Sequence, residues 1–99
     1  MVKAGGAQAY TLVFTEQYEQ KAARFLKIHP ALQKQYLKTL QLLQANPNHP
    51  SLRLHALAGR LSGLYSVSIN LSYRITIELL LIEMEIIFIN VGDHDAVYR

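Results

Sequence analysis

The apolar residues of this chain change their spacing at Asn46-Pro47-Asn48-His49-Pro50. Before that segment they recur every three or four positions: Tyr18, Ala22, Phe25 and Leu26, then Leu32, Tyr36, Leu40 and Leu43. That is the spacing of helices with one buried face. After it they alternate, Tyr65, Val67 and Ile69 with Leu64, Ser66 and Ser68, which is the two-residue period of a strand. Neither pattern continues through Pro47 and Pro50, because proline lacks the N–H that both ladders need. Helices and sheet are therefore segregated along the sequence, and the fold class is α+β.

Residues 1–8, with Gly5-Gly6, read as a flexible lead, and 9–99 as a single domain, the size that 99 residues allow. Tyr10 to Phe14 suits a strand. Thr15 can cap the helix that follows, with Glu16 in its first turn. That helix should stop before Pro30, which in turn suits the first turn of a second helix. Leu52 to Ala58 reads as an ordered loop. Leu64–Leu71, Tyr73–Leu81 and Glu85–Val91 read as three strands, with Gly92 ending the last. The order is β-α-α-β-β-β: an antiparallel sheet with a two-helix hairpin packed on one face. The other face should present Ser66, Ser68 and Arg74 to solvent.

The most apolar stretch, Ile75 to Ile89, is interrupted by Glu78, Glu83 and Glu85. This disqualifies it as a membrane helix and fits buried strands. Met1 to Gln8 has no apolar run and does not read as a signal peptide. The absence of cysteine excludes disulfides, thiolate metal sites and a cysteine nucleophile, and fits a reducing cytoplasm. The formal charge is +3. Its distribution matters more than its size: no acid falls between Lys21 and Arg74, which places the positive field on the middle of the chain.

Several chemistries are missing. Gly59 and Gly63 are not followed by Lys-Ser/Thr, so no phosphate loop exists. His29, His49, His55 and His94 fit no metal-ligand spacing, and no cofactor is implied. No serine sits in a nucleophile elbow. What remains is His, Arg and Tyr. RNA can be cleaved with these alone, because its own 2′-OH is the nucleophile. Imidazoles suit the base and acid roles, and a guanidinium suits the phosphate.

The run Leu54-His55-Ala56-Leu57-Ala58-Gly59-Arg60-Leu61-Ser62-Gly63-Leu64-Tyr65-Ser66-Val67-Ser68-Ile69, followed by Tyr73-Arg74-Ile75 and by Val91-Gly92-Asp93-His94-Asp95-Ala96-Val97-Tyr98, resembles the RelE/ParE superfamily of toxin–antitoxin toxins. Within it the chain looks most like the YafQ-, YoeB- and RelE-type mRNA interferases. The resemblance implies an endoribonuclease that cuts ribosome-bound mRNA and is held inactive by an antitoxin. It implies that His55 is the general base, where YoeB-type members have a Glu. Arg74 then steadies the scissile phosphate, His94 is the general acid, and Tyr98 orients the substrate. Arg53 and Arg60 are candidate phosphate contacts, and Ser66 and Ser68 candidate RNA contacts. The chain departs from RelE, which has lysines where Ser66 and Ser68 stand, and from the additional His and Asp of YafQ in this hairpin. Two rivals follow: a ParE-like inhibitor of DNA gyrase that cleaves nothing, and a degenerate homologue that only binds its antitoxin. Every site residue also has a structural reading. His55 suits a loop, Arg74 suits pairing with Glu78 or Glu85, and Tyr98 suits packing. His94 lies between Asp93 and Asp95, which favour its protonated form but equally suit a solvated turn.

Overall fold

A computed structural model describes residues 9–93. The first strand, β1 (Thr11–Phe14), leads into α1 (Glu16–Ile28), whose N-terminus is capped by the Thr15 hydroxyl accepting from the Tyr18 N–H at 3.1 Å. Pro30 opens a short 3-10 turn, Pro30–Leu32, and α2 (Gln33–Ala45) follows. The two-helix hairpin is therefore present, with a tighter turn at its bend than a continuous helix start. Beyond Pro50 come β2 (His55–Ala56), β3 (Tyr65–Ser68), β4 (Tyr73–Leu80) and β5 (Glu85–Asp93).

The sheet order is β1-β5-β4-β3-β2. β3, β4 and β5 form the expected antiparallel meander. β1 adds to the far edge of β5 in parallel, so the five-stranded sheet is mixed. Parallel neighbours need a long crossover, and the helix pair with the whole meander supplies it. The loop expected over Leu52–Ala58 contains β2, two residues pairing antiparallel with β3. β5 runs through Gly92 to Asp93 instead of stopping before it.

The helices bury Tyr18, Ala22 and Phe25 from α1 and Tyr36, Thr39 and Leu43 from α2 against one sheet face. That face contributes Val67, Ile75, Ile77, Ile86 and Phe88, all fully buried. Phe88 is the hub: Phe14 stacks on it with centroids 4.6 Å apart, and Tyr18 tilts against it at 5.2 Å. Burying each such side chain contributes roughly 1.5–3 kcal/mol. On α2 the buried position falls at Thr39, whose hydroxyl donates to the Gln35 carbonyl at 2.8 Å, so a polar residue is satisfied inside the helix. Leu40 is only half-buried. The β4–β5 register shifts between Thr76 and Ile77. Ile89 is left without a partner on β4, a bulge of the kind that bends a sheet beside functional positions.

Candidate active site on the sheet face opposite the helices

Register alone gathers the polar residues. Directly opposed residues in antiparallel strands point to the same face. His55 pairs with Ser66, Ser66 with Thr76, and Thr76 with Asn90, giving one row across four strands. Ser68 pairs with Arg74, and Arg74 with Gly92, giving the next. Val67 and Ile75, which alternate with these residues, belong to the apolar core. The polar rows therefore occupy the face away from the helices.

His55 reaches its place through a sequence of local devices. The 3-10 turn Pro50–Leu52 is capped by His49, whose Nδ1 accepts from the Ser51 N–H at 3.2 Å and lies 2.8 Å from the Ser51 hydroxyl. Leu52 is buried and anchors the turn. Arg53 then adopts the left-handed conformation at φ 51°, and the chain enters β2. Leu57 donates to the Leu64 carbonyl at 2.9 Å and closes the pairing. The His55 side chain is exposed, and its Nδ1 lies 3.1 Å from the Arg53 carbonyl. A carbonyl only accepts, so this bond puts the proton on Nδ1 and makes Nε2 the basic nitrogen of the neutral ring.

Arg74 is placed by the turn before it. The Asn70 side-chain carbonyl accepts from the backbone N–H groups of Ser72 and Tyr73, both at 2.8 Å, which fixes the β3–β4 connection. Arg74 Nη1 then donates to the Ser68 hydroxyl at 3.2 Å. It forms no ion pair with Glu78 or Glu85. Its Nε is buried without a hydrogen-bond partner, as are the hydroxyls of Ser66 and Thr76. Each such buried group costs roughly 1–3 kcal/mol. Polar atoms left unsatisfied beneath an exposed His and a half-exposed Arg are a reservoir that a substrate can draw on.

The structure corrects one expectation. Ser66 and Ser68 are on the predicted face but are not presented to solvent, at 0% and 7% exposure. Their side chains are short, and Arg74 reaches over Ser68 to bond it. As they stand they back the site. Arg53 and Arg60 are both exposed, Arg60 on a 3-10 turn, Gly59–Leu61, between β2 and β3. Gly63, at φ 96°, makes the following turn into β3 with a backbone that side-chain-bearing residues rarely adopt. The expected acid His94 and the aromatic Tyr98 lie outside the described residues. Of the other histidines, His49 caps a turn, and His29 packs against Phe25 and Tyr73 at centroid distances of 4.8 and 4.6 Å. Thr76 went unnoticed in the sequence, although its alternation with Arg74 and Glu78 already placed it on the polar face. Among the described residues no group of three or more His, Cys, Asp or Glu could hold a metal ion, and no helix is long and apolar enough to cross a membrane.

No protein-family model matches the chain, and no curated protein matches it. Solved structures do. The crystal structure of YafQ from E. coli is similar over 91% of this chain and 99% of its own, with a TM-score of 0.68 at 17% identity. The YoeB–YefM complex from Staphylococcus aureus is similar over 86% and 97%, with a TM-score of 0.67 at 19% identity. The toxin–antitoxin complex RelBE2 from Mycobacterium tuberculosis is similar over 88% and 93%, with a TM-score of 0.59 at 16% identity. With its mixed five-stranded sheet, its helix pair on one face and these likenesses over nearly their whole length, the chain has the RelE-like fold.

Proposed function

We propose that this protein is the toxin of a type II toxin–antitoxin system and an endoribonuclease that cuts mRNA, presented to it by the ribosome. The observation that carries the reading is the bond between His55 Nδ1 and the Arg53 carbonyl on an exposed sheet edge, in the same polar face as Arg74. On this reading Nε2 is the ring nitrogen that acts as the base.

The reaction needs no atom that these side chains and RNA do not supply. His55 Nε2 takes the 2′-OH proton, and O2′ attacks the adjacent phosphorus. The P–O5′ bond breaks and the leaving oxygen takes a proton from His94, leaving a 2′,3′-cyclic phosphate. Arg74 binds the non-bridging oxygens, where charge builds in the transition state. From the usual sheet spacings, the Cα atoms of His55 and Arg74 are about 12 Å apart, so one phosphodiester fits between the two side chains. Tyr98 orients the substrate, and Arg53 and Arg60 hold the flanking backbone. The partners are a cognate antitoxin, mRNA and the ribosome, in the cytoplasm; YoeB and RelBE2 are both known in toxin–antitoxin complexes.

One observation favours a second reading. The positions where RelE-type enzymes carry lysines hold buried serines here, which suits a degenerate homologue that only binds its antitoxin. Mapping the ends of RNA cut by the purified protein, with and without ribosomes, tests the proposal. Products ending in cyclic or 3′-phosphate support it. Uncut RNA in both, with supercoiling by gyrase intact, moves the reading to the degenerate homologue; inhibited supercoiling moves it to a gyrase inhibitor.

A further inference from the structure

The turn between β4 and β5, residues 81–84, carries two aliphatic side chains into solvent: Ile82 is 95% exposed and Leu81 63%. Glu83 stands beside them, and Glu85 opens β5. The turn is held in place. Met84 is left-handed at φ 57°, its N–H donates to the Leu81 carbonyl at 3.3 Å, and its own carbonyl accepts from the Thr11 N–H at 2.8 Å. A projection fixed in this way loses little freedom when it docks. The proposed RNA chemistry does not use it.

A groove of about 290 Å³ lies at the other end of β5, between α1 and the pair Asn90 and Val91. Lys21, Arg24, Phe25 and Ile28 line its helical side, and their spacing makes one stripe of α1. Phe25 is buried, while Ile28 is 65% exposed in the last turn of the helix. Among the described residues no strand covers this edge of β5, because β1 pairs only as far as Phe88. The groove thus combines three apolar side chains with two cations, and no acid lines it.

The two surfaces are complementary: an aliphatic projection flanked by two acids, and an apolar groove flanked by two cations. Six residues of β5 separate Met84 from Asn90, about 20 Å of strand, so a chain cannot fill its own groove. We propose that the turn of one copy docks in the groove of a second copy. Ile82 then lies among Phe25, Ile28 and Val91, and Glu83 and Glu85 face Lys21 and Arg24. Because the two surfaces differ, the contact is head-to-tail, and every added copy leaves one turn and one groove unfilled. The inference does not depend on the ribonuclease reading.

Sedimentation velocity of the full chain tests this. The parent should form species that grow past the dimer with concentration and shrink as salt screens the acids from the cations. Ile82→Asp removes the aliphatic tip, and Arg24→Glu reverses a charge of the groove. Each should weaken association about tenfold or more. Both positions are exposed, so thermal melts should match the parent. A mixture of the two variants is decisive. The intact turn of Arg24→Glu fits the intact groove of Ile82→Asp, so the mixture should form one-to-one dimers and nothing larger. A parent that is monomeric at every concentration overturns the proposal and leaves the groove to a different partner, such as an acidic segment of an antitoxin. A closed dimer that neither variant alters, or a mixture that stays monomeric, overturns it as well.

Discussion

Arg74 Nη1 donates to the Ser68 hydroxyl at 3.2 Å across a register pair of β3 and β4. The guanidinium is thus aimed by a neutral side chain that is itself buried, while its Nε stays without a partner. An arginine held by a carboxylate would carry its counter-charge with it. Among the described residues no carboxylate pairs with Arg74, which on the proposed reading leaves its charge for a phosphate. Replacing Ser68 by Ala should leave the fold intact and weaken cleavage about ten- to a hundredfold, the value of one hydrogen bond to a charged group. Single-turnover cleavage rates with thermal melts beside them check this; unchanged rates would show that Ser68 does not position Arg74.

Arg53 holds φ at 51°, a conformation that costs a non-glycine residue on the order of 1 kcal/mol. Arg53→Gly should therefore melt no lower than the parent. If Arg53 is a phosphate contact, the same substitution weakens RNA binding and lowers the slope of log affinity against log salt by about one. Binding measured at several salt concentrations separates the two effects. A lower melting temperature with unchanged binding would make Arg53 a structural residue.

The buried hydroxyls of Tyr18 and Tyr36 lie 2.7 Å apart. Burial, with the neighbouring Tyr36 phenol adding to it, pushes the Tyr18 phenol far above its ordinary range. Burial also raises Tyr36, partly offset by its hydrogen bond to Tyr18. In the unfolded chain both ionise near their ordinary value of about 10. Above that pH the unfolded state binds fewer protons than the folded one, so stability must fall as pH rises. Alkaline unfolding followed by circular dichroism should begin above about pH 10. Removing one ionisable phenol, as in Tyr18→Phe, should make the decline shallower while costing about 1 kcal/mol at neutral pH for the stranded Tyr36 hydroxyl. A double-mutant cycle with Tyr36→Phe should give a coupling of similar size. A flat profile across that range contradicts the buried pair.

Phe88 joins β1, α1 and the sheet, stacked by Phe14 and tilted against Tyr18. Truncating it leaves a cavity at the junction of three elements. Phe88→Ala should cost roughly 3–5 kcal/mol, read from urea unfolding, whereas the exposed Ile82 at the β4–β5 turn, 95% accessible, should tolerate Ile82→Ser within about 0.5 kcal/mol.

The element order and the helix hairpin were legible because they rest on local periodicity and on Pro30, Pro47 and Pro50. The meander was legible because consecutive strands sit at hairpin distance. The parallel pairing of Thr11–Phe14 with Glu85–Phe88 was not, since nothing in either segment encodes a partner more than seventy residues away. Nor was β2: two residues are too few to show a period. The site was half legible. His55 and Arg74 could be named, but their common face depends on the His55–Ser66 register, and the burial of Ser66 and Ser68 depends on what surrounds them. His94 and Tyr98 lie outside the described residues and stay proposals.

The most direct test of the account is primer extension on mRNA in a translating extract, with the parent protein beside His55→Ala, Arg74→Ala and His94→Ala. His55 is exposed and bonds to a backbone carbonyl, so its variant should fold as the parent does while cutting more slowly by about a hundredfold or more. The account predicts discrete cuts by the parent that fade in all three variants. Cuts by His55→Ala and Arg74→Ala at the parent's rate, or intact mRNA with the parent itself, would contradict it.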